Sequence, residues 1–271
     1  MRLGPISSAT LIVRNLERSL GAYCDRLGLL RFDTGRLPLQ RALDMGDASL
    51  AHAATARLRA QAEANPRLTL IEMPHATLGA PHARRGWLAL MFRVTNVDLL
   101  GGSIDGQAWQ VLSAPADDSI TGLRSTQVAG PDGEVLHLIQ PRIPLAGAST
   151  AVAAVDRLHG VVLGAAHCGT ALGFYEGLGL IHRWRTQVRM PTLSRDQAAD
   201  CCPAAFGQLA GGEVIAIDQL PNLPANDSSL RSGLRLVSFA RSDRNGHRLV
   251  AHHDPSARIL AGPEGEGIEL L

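Results

Sequence analysis

Leu20-Gly-Ala-Tyr-Cys-Asp-Arg-Leu-Gly-Leu-Leu30 occurs a second time, one residue shorter, as Leu172-Gly-Phe-Tyr-Glu-Gly-Leu-Gly-Leu-Ile181. A second pair follows in the same order. Gly130-Pro-Asp-Gly-Glu-Val-Leu-His-Leu138 returns as Gly262-Pro-Glu-Gly-Glu-Gly-Ile-Glu-Leu270, an offset of 132 residues. Two matches in one order point to a duplicated unit, and a repeat of this kind decides how the rest of the chain is read. Between the copies, Pro141-Arg-Ile-Pro-Leu-Ala-Gly-Ala-Ser-Thr150 has the prolines and small residues of a connector. The expected division is residues 1–145 and 146–271.

Within each copy the pattern alternates between strand and helix. Ala9 to Val13 is apolar and β-branched, which suits a buried strand. Asn15 caps a helix burying Leu16, Leu20 and Tyr23 on one face, and Gly28 ends it. Strand-like runs follow at Arg67 to Met73, Leu88 to Val94, Gln107 to Leu112 and, after a Pro-Asp-Gly turn, Val135 to Ile139. The second copy offers Gly160 to Leu163, Thr170 to Tyr175, Glu213 to Ile217, Leu234 to Phe239 and Gly267 to Leu271. The class is α+β, with mostly antiparallel potential.

Composition narrows the function. Twenty-six basic and 25 acidic side chains in 271 residues leave a net charge of +1, with no long run of either sign. A phosphate-tracking surface is not expected, and nucleic acid is an improbable partner. No apolar stretch approaches the roughly 20 residues that cross a bilayer, and no signal-peptide pattern opens the chain, so a cytoplasmic protein without membrane contact is expected. Cys24, Cys168, Cys201 and Cys202 contain no C-x-x-C pair, which argues against a zinc ribbon or a redox motif.

Three features resemble the vicinal-oxygen-chelate family, which includes glyoxalase I, bleomycin-resistance proteins and extradiol dioxygenases. They are the entry Asn15-Leu16-Glu17-Arg18-Ser19-Leu20 with Tyr23, the exit Leu27-Gly28-Leu29, and the turns Gly130-Pro131-Asp132-Gly133 and Gly262-Pro263-Glu264-Gly265. The resemblance covers both copies. It implies tandem domains, each of paired βαβββ units whose curved mixed sheet surrounds a cup-shaped cavity, with a homodimer as a mild expectation.

In active members four inward-pointing positions ring the cup and hold a divalent metal. Carried onto this chain, the first copy offers Ser8, Glu72 within Leu70-Ile-Glu-Met-Pro74, Ala89 and His137. Ser8 and Ala89 do not suit a catalytic metal, so the first cup is expected to bind substrate, through Ser8 and Glu72, with His137 as a catalytic candidate. The second copy offers His159, with Leu158 as a competing alignment, then Asp218 within Ile217-Asp-Gln-Leu-Pro221, Arg235 and Glu269.

Arg235 has no lone pair to donate and cannot ligate a cation. Two readings therefore stay open. In one, His159, Asp218 and Glu269 hold Fe2+, Mn2+ or Zn2+ while Arg235 steers an anionic or phenolate substrate, as in an extradiol-dioxygenase-like enzyme acting on a small aromatic or oxygenated compound. In the other, Arg235 pairs with Asp218 or Glu269, no metal binds, and the cup sequesters a small molecule in the manner of bleomycin-resistance proteins.

Overall fold

A computed structural model describes residues 2–104, 106, 108–117, 122–141, 155–188, 201–226, 231–242 and 258–271. The connector around residue 147 and the His252-His253 pair lie outside them. Four units follow one another. The first is β1 (Arg2–Val13), α1 (Leu16–Leu20) with a π-helical continuation (Gly21–Arg26), β2 (Leu30–Arg36), α2 (Leu39–Asp44), β3 (Ala54–Arg59) and β4 (Leu68–Glu72). The second is β5 (Gly86–Val94), α3 (Val97–Ile104), β6 (Gln110–Asp117), β7 (Leu123–Ala129) and β8 (Val135–Pro141). The third is β9 (Val155–Ala165), α4 (Cys168–Gly177), β10 (His182–Val188), β11 (Cys202–Gln208) and β12 (Val214–Gln219). Among the described residues the fourth is β13 (Gly233–Ser242), β14 (Arg258–Ala261) and β15 (Gly267–Leu270). The run Thr170 to Tyr175, grouped above with strand-like segments, is part of α4.

The strands form two curled mixed sheets. One has seven strands in the order β14-β15-β13-β1-β4-β3-β2, and the other has eight in the order β10-β11-β12-β9-β5-β8-β7-β6. Their centres are antiparallel pairs of first strands, β1 with β13 and β5 with β9. Each sheet thus joins units from both sequence copies, the first with the fourth and the second with the third.

Period-two alternation sorts each strand between two faces. On the seven-stranded sheet Ala9, Leu11, Leu68, Leu70, Val237, Phe239, Ile268 and Leu270 join one large apolar cluster, which also takes Leu90, Phe92, Val161, Leu163, Ile215 and Ile217 from the eight-stranded sheet. That cluster lies under α1 and α4 and ties the convex sides together. The concave faces carry separate clusters, one around Ile12, Leu37, Met45, Ile71 and Leu236 and one around Met91, Val135, Val162, Phe206 and Ala216.

Contacts within each copy are made on the helix side. Tyr23 is fully buried, meets Trp109 edge to face at 5.1 Å between centroids, and donates from its hydroxyl to Glu134 Oε1 at 2.8 Å. Tyr175 does the same to Glu266 Oε1 at 2.7 Å. The repeated tyrosine and the repeated Gly-Pro-x-Gly-Glu turn are therefore two ends of one hydrogen bond. In the first copy Asp132 also accepts from the Arg14 amide at 2.9 Å and the Ser19 hydroxyl at 2.8 Å, which fixes the start of α1.

Candidate functional site: a cup with a neutralised carboxylate

The concave face of the seven-stranded sheet opens into a cavity of about 690 Å³. Ser8 and Thr10 come from β1, Thr69 and Ile71 from β4, and Arg57 from β3. Arg36, Leu37, Arg41 and Met45 come from β2, α2 and the segments beside α2, and Arg67 comes from just before β4. Four arginines thus converge on one cavity. Arg57 is ion-paired to Asp33, Arg67 donates to the Ile6 carbonyl and lies 3.5 Å from Glu63, and Arg36 donates to the His52 carbonyl.

Glu269 rises beside this cavity from β15, at the level where β15 pairs with Ser238 of β13 and Ser238 pairs with Ser8 of β1. Its carboxylate is 1% exposed. Arg41 binds it through both terminal nitrogens, Nη2 donating to Oε2 at 2.8 Å and Nη1 to Oε1, while the Ser238 hydroxyl donates to Oε2 at 2.5 Å. Both carboxylate oxygens are engaged by a forked cation, the strongest geometry such a pair adopts. Arg41 is there because Pro38 starts a short helix at the rim, where Ala42 and Met45 pack onto the apolar wall.

The eight-stranded sheet has a different concave face. Met91, Val135, Ile139, Val162, Ala204, Phe206 and Ala216 line it, and Asp218, Cys202 and His137 alternate with the helix-side residues so as to share it. Asp218 is 5% exposed with no hydrogen bond from any described residue, and burial pushes its carboxyl up from 3.8 to about 7. Asp218 sits opposite Gly164 whereas His137 and Gly160 sit opposite Met91, four residues back along β9, which is about 13 Å at strand rise. His159 occupies a bulge, since Met91 pairs with Gly160 and Phe92 with Leu158, and burial together with Arg93 and Arg157 lowers its pKa.

The residues singled out in the sequence are therefore distributed over four places. Ser8 and Glu269 belong to the seven-stranded cup, and His137, His159 and Asp218 to the eight-stranded sheet. Glu72 turns to the helix side, where its Oε1 accepts from the Leu16 amide at 2.9 Å and caps α1. Arg235 lines a small cavity between the two sheets and pairs with neither Asp218 nor Glu269. His159, Asp218 and Glu269 are not brought together. No group of three or more His, Cys, Asp or Glu able to hold a metal occurs among the described residues.

Two one-residue slips account for the displaced residues. Val13 pairs with Glu72 at the end of β4, and the matching pair in the third unit is Ala165 with Gln219, whose Oε1 accepts from the Cys168 amide at 3.2 Å. Gln219 is thus the counterpart of Glu72, and Asp218 is the counterpart of Ile71 on the opposite face. Likewise β5 and β13 each open on a glycine with positive φ, Gly86 and Gly233, which makes Arg235 the counterpart of Leu88 and Leu236 that of Ala89. A shift of one residue exchanges the two faces of a strand. Replacing Glu72 by Ala is expected to cost about 1 kcal/mol by uncapping α1, while leaving ligand binding unchanged. Urea unfolding and a binding titration of the same variant check both halves.

Asp218 provides a pH signature. Its folded pKa lies above its unfolded value, so the fold holds a proton that the unfolded chain has released, and stability falls as pH rises from about 4 to about 7. Asp218→Asn removes that loss. The variant should match the parent near pH 4 and exceed it progressively above, by up to about 1.4 kcal/mol per pH unit within the window. His82, lowered to about 4 by burial and by His137, acts in the opposite direction below pH 6.5. The difference between variant and parent isolates the carboxyl.

The arrangement of paired βαβββ units has close counterparts among solved structures. A Bacillus subtilis protein assigned as a dioxygenase superposes over 99% of this chain and 85% of its own, with a TM-score of 0.64 and 13% identity. Glyoxalase I from Zea mays superposes over 98% of this chain and 91% of its own, with a TM-score of 0.61 and 13% identity. The chain has the vicinal-oxygen-chelate fold. At this identity the likeness concerns the fold, and function must be argued from the cups. No protein-family model and no curated protein matches the sequence. No helix among the described residues is long and apolar enough to cross a membrane.

Of the residues singled out in the sequence, Ser8 and Glu269 lie at this cup, whereas Arg36, Arg41, Arg57, Arg67 and Ser238 were not among them. A signal existed for Arg57. In Thr55-Ala-Arg-Leu-Arg59 the buried Ala56 and Leu58 alternate with polar residues, which puts Arg57 on the face away from the core. Arg41 had none, because a six-residue helix is too short for its apolar spacing to mark a face in the sequence.

Proposed function

We propose that the seven-stranded cup binds a small organic anion and does so without a metal. The engagement of Glu269 by Arg41 and Ser238 carries this reading, because a carboxylate whose two oxygens are held by a guanidinium is a poor ligand for a second cation. The donor set around it does not fit a divalent ion either. Ser8 and Ser238 are neutral hydroxyls, and the remaining charged neighbours are mostly arginines. With Arg41 held by Glu269, Arg36 remains without an acidic partner among the described residues, and Arg57 beside Asp33 and Arg67 beside Glu63 add donors at the same wall. Leu37, Met45 and Ile71 supply an apolar wall for the rest of the ligand.

A cavity of about 690 Å³ accommodates an aromatic carboxylate with room for substituents. The dioxygenase-like reading would instead require a metal held by Glu269, in competition with Arg41. Calorimetric titration with benzoate- and salicylate-sized carboxylates tests the proposal. Saturable binding in the presence of chelator is expected, weakened about tenfold or more in Arg57→Gln, which corresponds to about 1.4 kcal/mol. Binding that is unaffected by that variant, or that requires an added divalent metal, would overturn it.

A further inference from the structure

We infer that the anion taken by the seven-stranded cup is a polyhydroxylated carboxylate of the sugar-acid type, whose hydroxyl groups are read by Ser8, Thr10 and Thr69. The inference rests on the anion-binding reading of that cup and specifies its ligand. In strand register these side chains fall in two rows across the concave face. One row runs Glu269, Ser238, Ser8, and the other runs Leu236, Thr10, Thr69, Arg57, Asp33, each residue paired with the next. With strands about 4.8 Å apart, Thr10 stands two strands, or about 10 Å, from Arg57. A carboxylate held on the arginine side leaves the rest of a sugar acid over the hydroxyls.

Thr10 is 3% exposed and lines the cavity, yet its hydroxyl makes no hydrogen bond with any described residue, and neither do those of Ser8 and Thr69. A buried hydroxyl without a partner is destabilising, and a ligand hydroxyl that donates to it or accepts from it removes that penalty. The fold does not call for these groups. Counting back three residues from the matched pairs Val13 with Glu72 and Ala165 with Gln219, the corresponding row of the eight-stranded sheet is Ala89, Val162, Ala216, Phe206, Trp184, joined by the same pairings. Apolar side chains therefore close that sheet at the positions that carry Thr10, Thr69 and Arg57 in the cup. Leu37, Met45 and Ile71 border the hydroxyl rows, which gives the C–H face of a sugar ring an apolar surface.

The test is calorimetric titration with D-glucuronate and with cyclohexanecarboxylate, which has the same charge and ring size without hydroxyls, for the parent, Thr10→Val, Thr69→Val and Arg57→Gln. The parent should bind glucuronate about tenfold or more tightly than cyclohexanecarboxylate. Each valine variant should lose about tenfold for glucuronate and leave cyclohexanecarboxylate unchanged, whereas Arg57→Gln should weaken both acids alike. Without ligand, Thr10→Val should melt no lower than the parent, since it removes an unpartnered buried hydroxyl, so its loss of binding is not a loss of fold. Equal affinity for the two acids, or a preference that survives both valine variants, would overturn the inference while leaving the anion cup intact. Absence of binding by either acid, or binding indifferent to Arg57→Gln, would overturn the cup reading and this inference with it.

Discussion

Arg41→Ala should destabilise the chain by about 3 kcal/mol, because it strands a carboxylate that is 1% exposed with only the Ser238 hydroxyl for company. The cost comes chiefly from the uncompensated Glu269 rather than from the net worth of the pair, so the partner variant discriminates. Arg41→Met combined with Glu269→Leu removes both charges and leaves apolar side chains beside Ile71 and Leu236, and should recover most of the loss. Chemical denaturation of the single and double variants measures the coupling directly. Equal losses in the single and double variants would mean that Arg41 stabilises the rim helix by packing alone.

Gly133→Ala should be the most damaging single methyl addition in the repeated turn. Gly133 has φ +81°, and a Cβ there would lie 2.0 Å from the Gly79 carbonyl oxygen, a backbone atom in the connection from β4 to β5 that cannot swing aside. A loss of about 4 kcal/mol or more is expected, enough to prevent accumulation of folded protein if the parent has ordinary stability. The matching position in the second copy provides the control. Gly265 has φ +82°, but its nearest neighbour would be the Asn226 carbonyl oxygen at 3.3 Å, so Gly265→Ala should cost only the left-handed backbone penalty of about 1–2 kcal/mol. Melting temperatures of the two variants should differ widely, and similar values would contradict this close packing.

The duplication made the architecture readable, since Tyr23 and Tyr175 with the two Gly-Pro-x-Gly-Glu turns mark equivalent points in equivalent units. Which units share a sheet was not readable. All four units carry similar strand patterns, so nothing in the pattern of β1 distinguishes β13 from β5 as its partner, and the ladder that forms joins the first unit to the fourth. That pairing puts Glu269 in one cup and Asp218 in the other sheet.

Individual site residues depended on register. Glu269 was placed correctly on an inward position because the turn before it anchors the count. Glu72 and Asp218 were equated as acids that follow an isoleucine and precede a proline, but Asp218 stands one residue further from Pro221 than Glu72 does from Pro74, and that single step separates a helix cap from a buried carboxyl on a concave face. Arg235 moved for the same reason. The arginines of the cup come from β2, β3, α2 and the residue before β4, and β2 is exposed along nearly its whole length, so it gives no apolar signal of its own.

Metal content bears most directly on the claim that Glu269 serves Arg41 rather than a cation. Protein purified without chelator, then titrated with Fe(II), Mn(II) and Zn(II), should show no saturable binding that depends on Glu269, and Glu269→Gln should leave metal content and its effect on Tm unchanged. One metal ion per chain, lost in Glu269→Gln and accompanied by a rise in Tm in the parent, would contradict the account and make the seven-stranded cup a metal centre.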